Sequence, residues 1–293
     1  MSFINDTASG EILPATNNSV PMSAKEFRLL SRLVESSCGI KMPDSKRSML
    51  ESRLQKRLRS LELRSFKAYF DLLASPEGRR HELTRMIDAV TTNKTDFFRE
   101  PAHFRYLAGQ VLPEMIGKGA CGTLRVWSAG CSSGEEPYTL AMVLSEYASN
   151  HGRFPFSILA TDICTTVLEK ASRGIYEEEK IAPVSHELRE KYLLRSRDRS
   201  RGVVRIAPEL RSLVKFRRLN FMNDTFSLCE PMHIIFCRNV LIYFDRPTQE
   251  ALLNKFCRHL VPGGYLFLGH SETINGMHVP VVQVDSTIYR KPE

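Results

Sequence analysis

Four stretches of this 293-residue chain pair chemically active side chains with glycine or with the end of an apolar run. They are residues 130–136, Asp162, residues 93–99 and residues 238–244. The first, Gly130-Cys131-Ser132-Ser133-Gly134, follows an apolar run and precedes a helical pattern, so its glycines would let a ligand approach the backbone at a helix start. A phosphate loop needs Gly-Lys-Ser/Thr, but Gly134 is followed by Glu135-Glu136, which would repel a triphosphate. A dinucleotide turn wants three glycines as GxGxxG, and only two are present. The same five residues also spell the GxSxG nucleophile elbow, and Asp245 and His270 follow in triad order. No HGGG-type oxyanion segment precedes Ser132, yet a serine hydrolase stays an alternative here, as does a plain structural turn.

A ligand that is cationic near the helix start avoids the electrostatic conflict. S-adenosylmethionine has a sulfonium, an ammonium and a ribose diol, and no phosphate. Glu135 could pair with the ammonium, and Asp162 could accept both ribose hydroxyls. The competing reading of Asp162 is a turn or helix cap. Arg238 and Tyr243 leave the end of an apolar run, where idle burial is costly. A purely structural hydrogen bond from Tyr243 is the competing reading there. In residues 93–99, Asn93 and Thr95 could be caps, Phe97 and Phe98 packing residues, and Arg99 half of a surface pair with Glu100.

These residues need a frame. Hydrophobic residues make up 42% and charged residues 25%, an ordinary globular composition that excludes fibrous or wholly disordered chains. Seven scattered cysteines without a CxxC pair exclude a disulfide scaffold and a zinc ribbon, and suit a reducing compartment. No apolar run approaches membrane-span length, and the polar start lacks a secretory pattern. A cytoplasmic protein with no membrane insertion is expected. Residues 1–22 read as a disordered leader. Helices are expected from Ser23 to about Gly39, over 44–60, 65–74 and 79–90, making a helical bundle over 23–92. Residues 93–110 read as a linker that contributes to the ligand site. From 111 to 293 strands near 124–129, 156–160, 203–206, 214–216, 232–237 and 265–269 alternate with helices near 135–149, 165–172 and 248–260. A closing hairpin is expected over 281–290. This is an open, mostly parallel α/β sheet, whose ligands bind at the carboxyl ends of the strands.

Taken together, Thr91-Thr92-Asn93-x-Thr95-x-Phe97-Phe98-Arg99-Glu100, Trp127-Ser128-Ala129 through Gly134-Glu135-Glu136-Pro137-Tyr138, Ala160-Thr161-Asp162-Ile163, residues 236–244 and Gly269-His270-Ser271-Glu272 resemble the CheR family of chemotaxis receptor methyltransferases. The resemblance spans residues of about 23–290. It implies a Rossmann-like S-adenosylmethionine-dependent methyltransferase domain, preceded by an all-α bundle and carrying a small antiparallel β-subdomain at about 176–219. It implies methyl transfer from S-adenosylmethionine to glutamate side chains on the cytoplasmic helices of chemoreceptors, leaving S-adenosylhomocysteine. It carries cofactor contacts onto Asn93, Thr95, Arg99, Glu135, Asp162, Asn220, Phe221, Arg238 and Asn239, and places Tyr243, with Arg99, at the methyl-transfer site. No metal is implied. A non-catalytic binding module built on the same pocket is the alternative from another class.

The charge distribution joins this reading. Residues 1–95 hold 16 Lys/Arg against 11 Asp/Glu, and from Lys41 to Arg59 there are seven basic and two acidic residues. Arg53, Lys56, Arg57 and Arg59 are spaced to share one helix region. On sequence alone this is a solvated surface; with the resemblance it becomes a docking face for an acidic receptor helix. Aromatics are not interleaved with the run, which argues against nucleic acid. Some family members also grip a C-terminal receptor tether through a glycine-bearing loop in the β-subdomain. The corresponding residues 195–202 here are strongly basic with only Gly202, a departure that puts tether binding in doubt. No obligate-oligomer signature is present, and a monomer is expected.

Overall fold

The computed structural model describes residues 20–117 and 122–293, so most of the expected leader lies outside the described residues. The bundle contains α1 (Ala24–Cys38), α2 (Arg47–Ser60), α3 (Phe66–Ala74) and α4 (Pro76–Val90). Ser23 and Glu26 form a reciprocal capping box that starts α1, and Gly39 ends it in the left-handed region at φ 74°. The fourth helix begins three residues earlier than expected, because Ser75 caps it and Pro76 fills its first position. Phe27, Leu30, Val34, Leu50, Leu54, Leu58, Phe66, Tyr69 and Leu73 meet in one core, and Met22 is fully buried with them. The packed chain therefore starts inside the stretch expected as leader: Met22 N–H donates to Glu51 and its carbonyl accepts from Arg47.

The stretch expected as a linker (93–110) is a loop followed by helix. α5 (Pro101–Tyr106) runs through a π-helical turn at Leu107–Val111 into α6 (Leu112–Gly117). The sheet domain then follows as β1 (Leu124–Ala129), α7 (Glu135–His151), β2 (Phe156–Asp162) and α8 (Thr165–Arg173). Next come β3 (Ile175–Glu177), α9 (His186–Tyr192), β4 (Leu193–Arg195), β5 (Val203–Ile206), α10 (Pro208–Ser212) and β6 (Val214–Arg218). The chain closes with β7 (Met232–Cys237), α11 (Arg246–His259), β8 (Leu260–Leu268), β9 (Val282–Asp285) and β10 (Ile288–Arg290). The main sheet has the order β6-β2-β1-β7-β8-β10-β9, parallel from β6 to β8 with the last two strands antiparallel.

Residues alternate between two cores across this sheet. Val126, Ile234, Phe236 and Phe267 face α5–α7; Trp127, Ile235, Cys237 and Leu266 face α11. Fully burying one such side chain stabilises by roughly 1.5–3 kcal/mol, so a one-residue slip in register would exchange both faces at large cost. The one polar atom of Trp127 is satisfied by Thr161 Oγ1 at 2.9 Å. A second, three-stranded antiparallel sheet, β3-β5-β4, forms the β-subdomain. The boundary expected at 219 needs correction. β6 pairs in parallel with β2 in the main sheet, so the inserted unit ends before Val214.

Candidate active site

The order of the main sheet reverses at β1: the chain steps outward to β2 and β6, then returns to β7 on the other side. Ligands bind at the carboxyl ends of strands beside such a reversal. A cavity of about 290 Å³ lies there. Gly130 and Ser132 follow β1, Asp162 ends β2, Asn220 and Phe221 follow β6, and Arg238, Asn239 and Tyr243 follow β7. Asn93, Thr95 and Arg99 reach it from the loop after α4. Cys38, Ile40, Met42, Lys46 and Met49 complete the wall from the bundle.

Backbone shape at this wall is unusual. Gly130 has φ 85°, and a Cβ on it would lie 2.4 Å from Val240 Cγ2. Among the described residues, four of the seven non-glycine residues with positive φ are Phe98, Glu100, Ser132 and Asn239. Their concentration in the loops around one cavity is the distribution expected where tertiary contacts hold a functional site in a costly conformation.

Asp162 is buried and lines the cavity. Its carboxylate accepts the Ser132 N–H at 2.8 Å and the Cys164 N–H at 3.0 Å, which fixes both oxygens while leaving lone pairs for a diol. Burial pushes its pKa up, and those backbone N–H groups partly oppose the shift. Arg99 donates to the Lys94 carbonyl at 3.1 Å and has no carboxylate partner among the described residues. An unpaired guanidinium on a cavity wall is suited to a carboxylate ligand. Arg238 is buried beside the stacked Phe104 and Phe236 rings, its guanidinium carbon 5.1 and 5.6 Å from their centres. Its Nε donates to Glu136 at 2.7 Å, and its Nη1 donates to the Arg99 carbonyl at 2.6 Å and to His103 Nδ1 at 3.2 Å. It therefore ties the loop after α4, the start of α7 and the end of β7 together.

The two consecutive glutamates separate. Glu136 lines the cavity, held by Arg238 and by Ser128 Oγ at 2.6 Å. Glu135, which the resemblance implies as a cofactor contact, is not on the cavity wall. It is almost fully buried, accepts from Ser133 Oγ at 2.7 Å, and has its pKa pushed up by burial. The first turn of α7 places adjacent side chains about 100° apart, so only one can face the ligand.

The expected docking residues also divide. The Arg53 guanidinium donates to the carbonyls of Val90 and Thr91 at 2.6 and 2.8 Å, closing the C-terminus of α4. Arg57 makes a two-point bond to buried Glu82, each contact 2.8 Å, and Tyr69 donates to the same carboxylate at 2.9 Å. Both arginines are thus engaged inside the bundle, a correction to the reading of one continuous basic face. Lys56 and Arg59 remain exposed.

The hydrolase alternative finds no geometry. Ser132 Oγ donates to the Asn93 carbonyl at 2.9 Å, Asp245 caps α11 through the Thr248 N–H at 2.9 Å, and neither bonds His270 among the described residues. Sequence reasoning also missed the bundle's share of the cavity. Asn220 Nδ2 donates to the Ser37 carbonyl at 2.7 Å, and the Lys41 N–H donates to the Tyr243 carbonyl at 2.9 Å. Contacts across such sequence distances leave no local pattern.

The donor set fits S-adenosylmethionine: carboxylates for a diol and an ammonium, an unpaired arginine for a carboxylate, apolar walls, and no phosphate cradle. The fold and site define an S-adenosylmethionine-dependent methyltransferase. Residues 93–290 match the CheR methyltransferase SAM binding domain, and residues 25–91 match the CheR methyltransferase all-alpha domain. The chain belongs to the CheR methyltransferase family. It is 40% identical over 264 residues to the chemotaxis protein methyltransferase of Borreliella burgdorferi, covering 89% of this chain and 92% of that protein. It is 39% identical over 271 residues to that of Escherichia coli, covering 92% and 91%. It is an S-adenosylmethionine-dependent methyltransferase of chemotaxis, a protein-glutamate O-methyltransferase, and the non-catalytic alternative is not favoured. Among the described residues no helix is long and apolar enough to cross a membrane.

Proposed function

We propose that the chain methylates glutamate side chains on the cytoplasmic helices of chemoreceptors, and that the cavity at the ends of β1, β2, β6 and β7 is where the transfer occurs. The observation that carries this reading is the convergence of Asp162, Glu136 and the unpaired Arg99 on one cavity. Asp162 orients the ribose diol, Glu136 takes the ammonium in place of Glu135, and Arg99 holds a carboxylate. Asn93, Thr95, Asn220, Phe221, Arg238 and Asn239 shape the remaining wall. When bound, S-adenosylmethionine supplies an electrophilic methyl group on a sulfonium sulfur, which keeps the bonding electron pair as the carboxylate oxygen attacks.

A glutamate with a pKa of about 4.3 is already ionised at neutral pH, so the chain needs no general base. Its work is alignment and exclusion of water, which can supply roughly 7–11 kcal/mol in favourable cases. Tyr243 lines the cavity, with Lys46 Nζ 5.8 Å from its ring centre. These two residues meet the incoming side chain where bundle and sheet join. Lys56 and Arg59 carry the docking of an acidic receptor helix. The β-subdomain exposes β4 as an edge beside the basic residues 195–201, a surface for an acidic tether. The enzyme acts as a monomer in the cytoplasm.

The test is calorimetric titration with S-adenosylhomocysteine, followed by methyl transfer to a receptor cytoplasmic fragment. Wild type is expected to bind saturably, and Asp162→Ala to lose binding while staying folded. Arg99→Ala is expected to slow transfer on the order of 10²-fold, as loss of a positioning contact does. Full turnover in both variants would overturn the site assignment.

A further inference from the structure

The reaction as described leaves the buried carboxylate of Glu272 unused. Glu272 lies in the loop after β8 and is 5% exposed. Its Oε2 accepts the Gly269 N–H at 2.6 Å and the Asn239 N–H at 2.9 Å. Its Oε1 accepts the N–H groups of Val240 at 2.8 Å and Leu241 at 2.7 Å, with that of Ile242 at 3.4 Å. No cation pairs with it among the described residues. Successive backbone N–H groups that point into one concavity form an anion nest, and here the anion belongs to the protein itself. Burial pushes the Glu272 pKa up, and the backbone donors counter it.

The gripped loop is the one that walls the cavity. Asn239, Val240, Ile242 and Tyr243 all line it. Asn239 is held at φ 58°, a left-handed conformation that needs support from outside the loop. Val240 fills the space left open by Gly130, on the side of the glycine turn. The Tyr243 carbonyl takes the Lys41 N–H from the bundle, on the acceptor side. A residue that fixes the amides of 239–242 therefore sets both walls at once. No other side chain among the described residues bonds these consecutive amides.

We propose that Glu272 is a positioning residue for methyl transfer: its carboxylate locks residues 239–243 so that Asn239 and Tyr243 meet cofactor and acceptor in a single geometry. The inference rests on the site assignment above. Glu272→Gln keeps the shape but replaces one acceptor oxygen with an NH2 group that faces amide donors. A misplacement of about 1 Å can cost on the order of 10²-fold in rate.

The experiment measures receptor-fragment methylation at saturating substrates, S-adenosylhomocysteine affinity, and amide hydrogen exchange at 239–242, in wild type, Glu272→Gln and Tyr243→Ala. Glu272→Gln is expected to lower kcat roughly 10- to 100-fold, by the same argument, and to speed exchange at 239–242. Its thermal midpoint and its S-adenosylhomocysteine affinity are expected to move far less. A merely structural glutamate would instead lower the midpoint and leave kcat per folded molecule unchanged, which would overturn the proposal. Should Glu272→Gln not fold, wild-type exchange decides: amides 239–242 exchanging at open-loop rates would overturn the clamp, and strong protection would support it. Normal turnover in Tyr243→Ala would overturn the underlying site assignment. Impairment there with normal Glu272→Gln turnover would overturn only the role of Glu272.

Discussion

Arg57 and Arg238 each hydrogen-bond a buried glutamate, and they belong to different kinds of place. Arg57 in α2 grips Glu82 in α4 through two contacts of 2.8 Å, and Tyr69 completes that carboxylate's coordination. Arg238 at the end of β7 grips Glu136 in α7 at 2.7 Å, and that pair stands on the wall of the ligand cavity. The pairwise chemistry is the same. The difference is what lies beyond it: helix–helix packing in one case, the open end of a parallel sheet in the other. A buried ion pair is weak evidence of function by itself. Its position at a topological reversal of the sheet turns it into part of a site.

The comparison breaks most visibly by removing Arg57. Arg57→Ala removes the two contacts of 2.8 Å from the Glu82 carboxylate, whose side chain is 5% exposed, and leaves only Arg85 Nη1 at 4.0 Å as a cation. Breaking a buried pair in this way costs roughly 3–5 kcal/mol, so the urea midpoint should fall sharply. The molecules that remain folded should bind S-adenosylhomocysteine with unchanged affinity. An unaltered urea midpoint with lost receptor methylation would restore Arg57 to the docking face.

Acid sharpens the comparison from the other side. His103 is buried against Arg238, and its ring nitrogens meet Arg238 Nη1 at 3.2 Å and Thr287 Oγ1 at 3.0 Å. Burial, then the neighbouring guanidinium, lowers its pKa from 6.5 to about 4, with Glu100 opposing. The folded state therefore binds this proton less tightly than the unfolded chain does. Stability from neutral His103 is fully present above the unfolded pKa and is lost as pH falls from about 6.5 through about 4, a difference on the order of 3 kcal/mol. His103→Asn should flatten the dependence of urea stability on pH in that window. A variant with the wild-type slope would show that the site's acid sensitivity lies elsewhere.

The same contrast explains which features were legible in the sequence. Gly130, Asp162 and Arg238 were readable because each terminates or directly follows a strand, and parallel topology forces those ends together. The order of strands and helices followed from apolar runs of distinct period. Choosing between Glu135 and Glu136 required the rotation of the first turn of α7, which a one-residue difference in helix phase reverses. The inward role of Arg53 and Arg57 required knowing that α4 packs on that side of α2, because helical spacing groups residues on a face without saying what covers it. The clamp at Glu272 joins residues about thirty positions apart, and nothing local marks it. Residues 176–200 carry no readable periodicity because β3, β4 and α9 are too short to display one.

What remains of the basic face yields the smallest expected effect. With Arg53 and Arg57 engaged internally, Lys56 and Arg59 are left to meet an acidic helix through solvent. Exposed ion pairs contribute only about 0.2–1 kcal/mol each and are screened by salt. The double variant Lys56→Ala/Arg59→Ala should therefore raise KM for a receptor fragment roughly two- to tenfold at low ionic strength, by the same reasoning. It should leave kcat and the urea midpoint unchanged, and its difference from wild type should fade as salt is added. A large loss of kcat would mean that these residues act on the bound geometry rather than on encounter. A KM unchanged at low salt would move docking onto another surface, and Lys46, which lines the cavity beside Tyr243, would be the next to substitute.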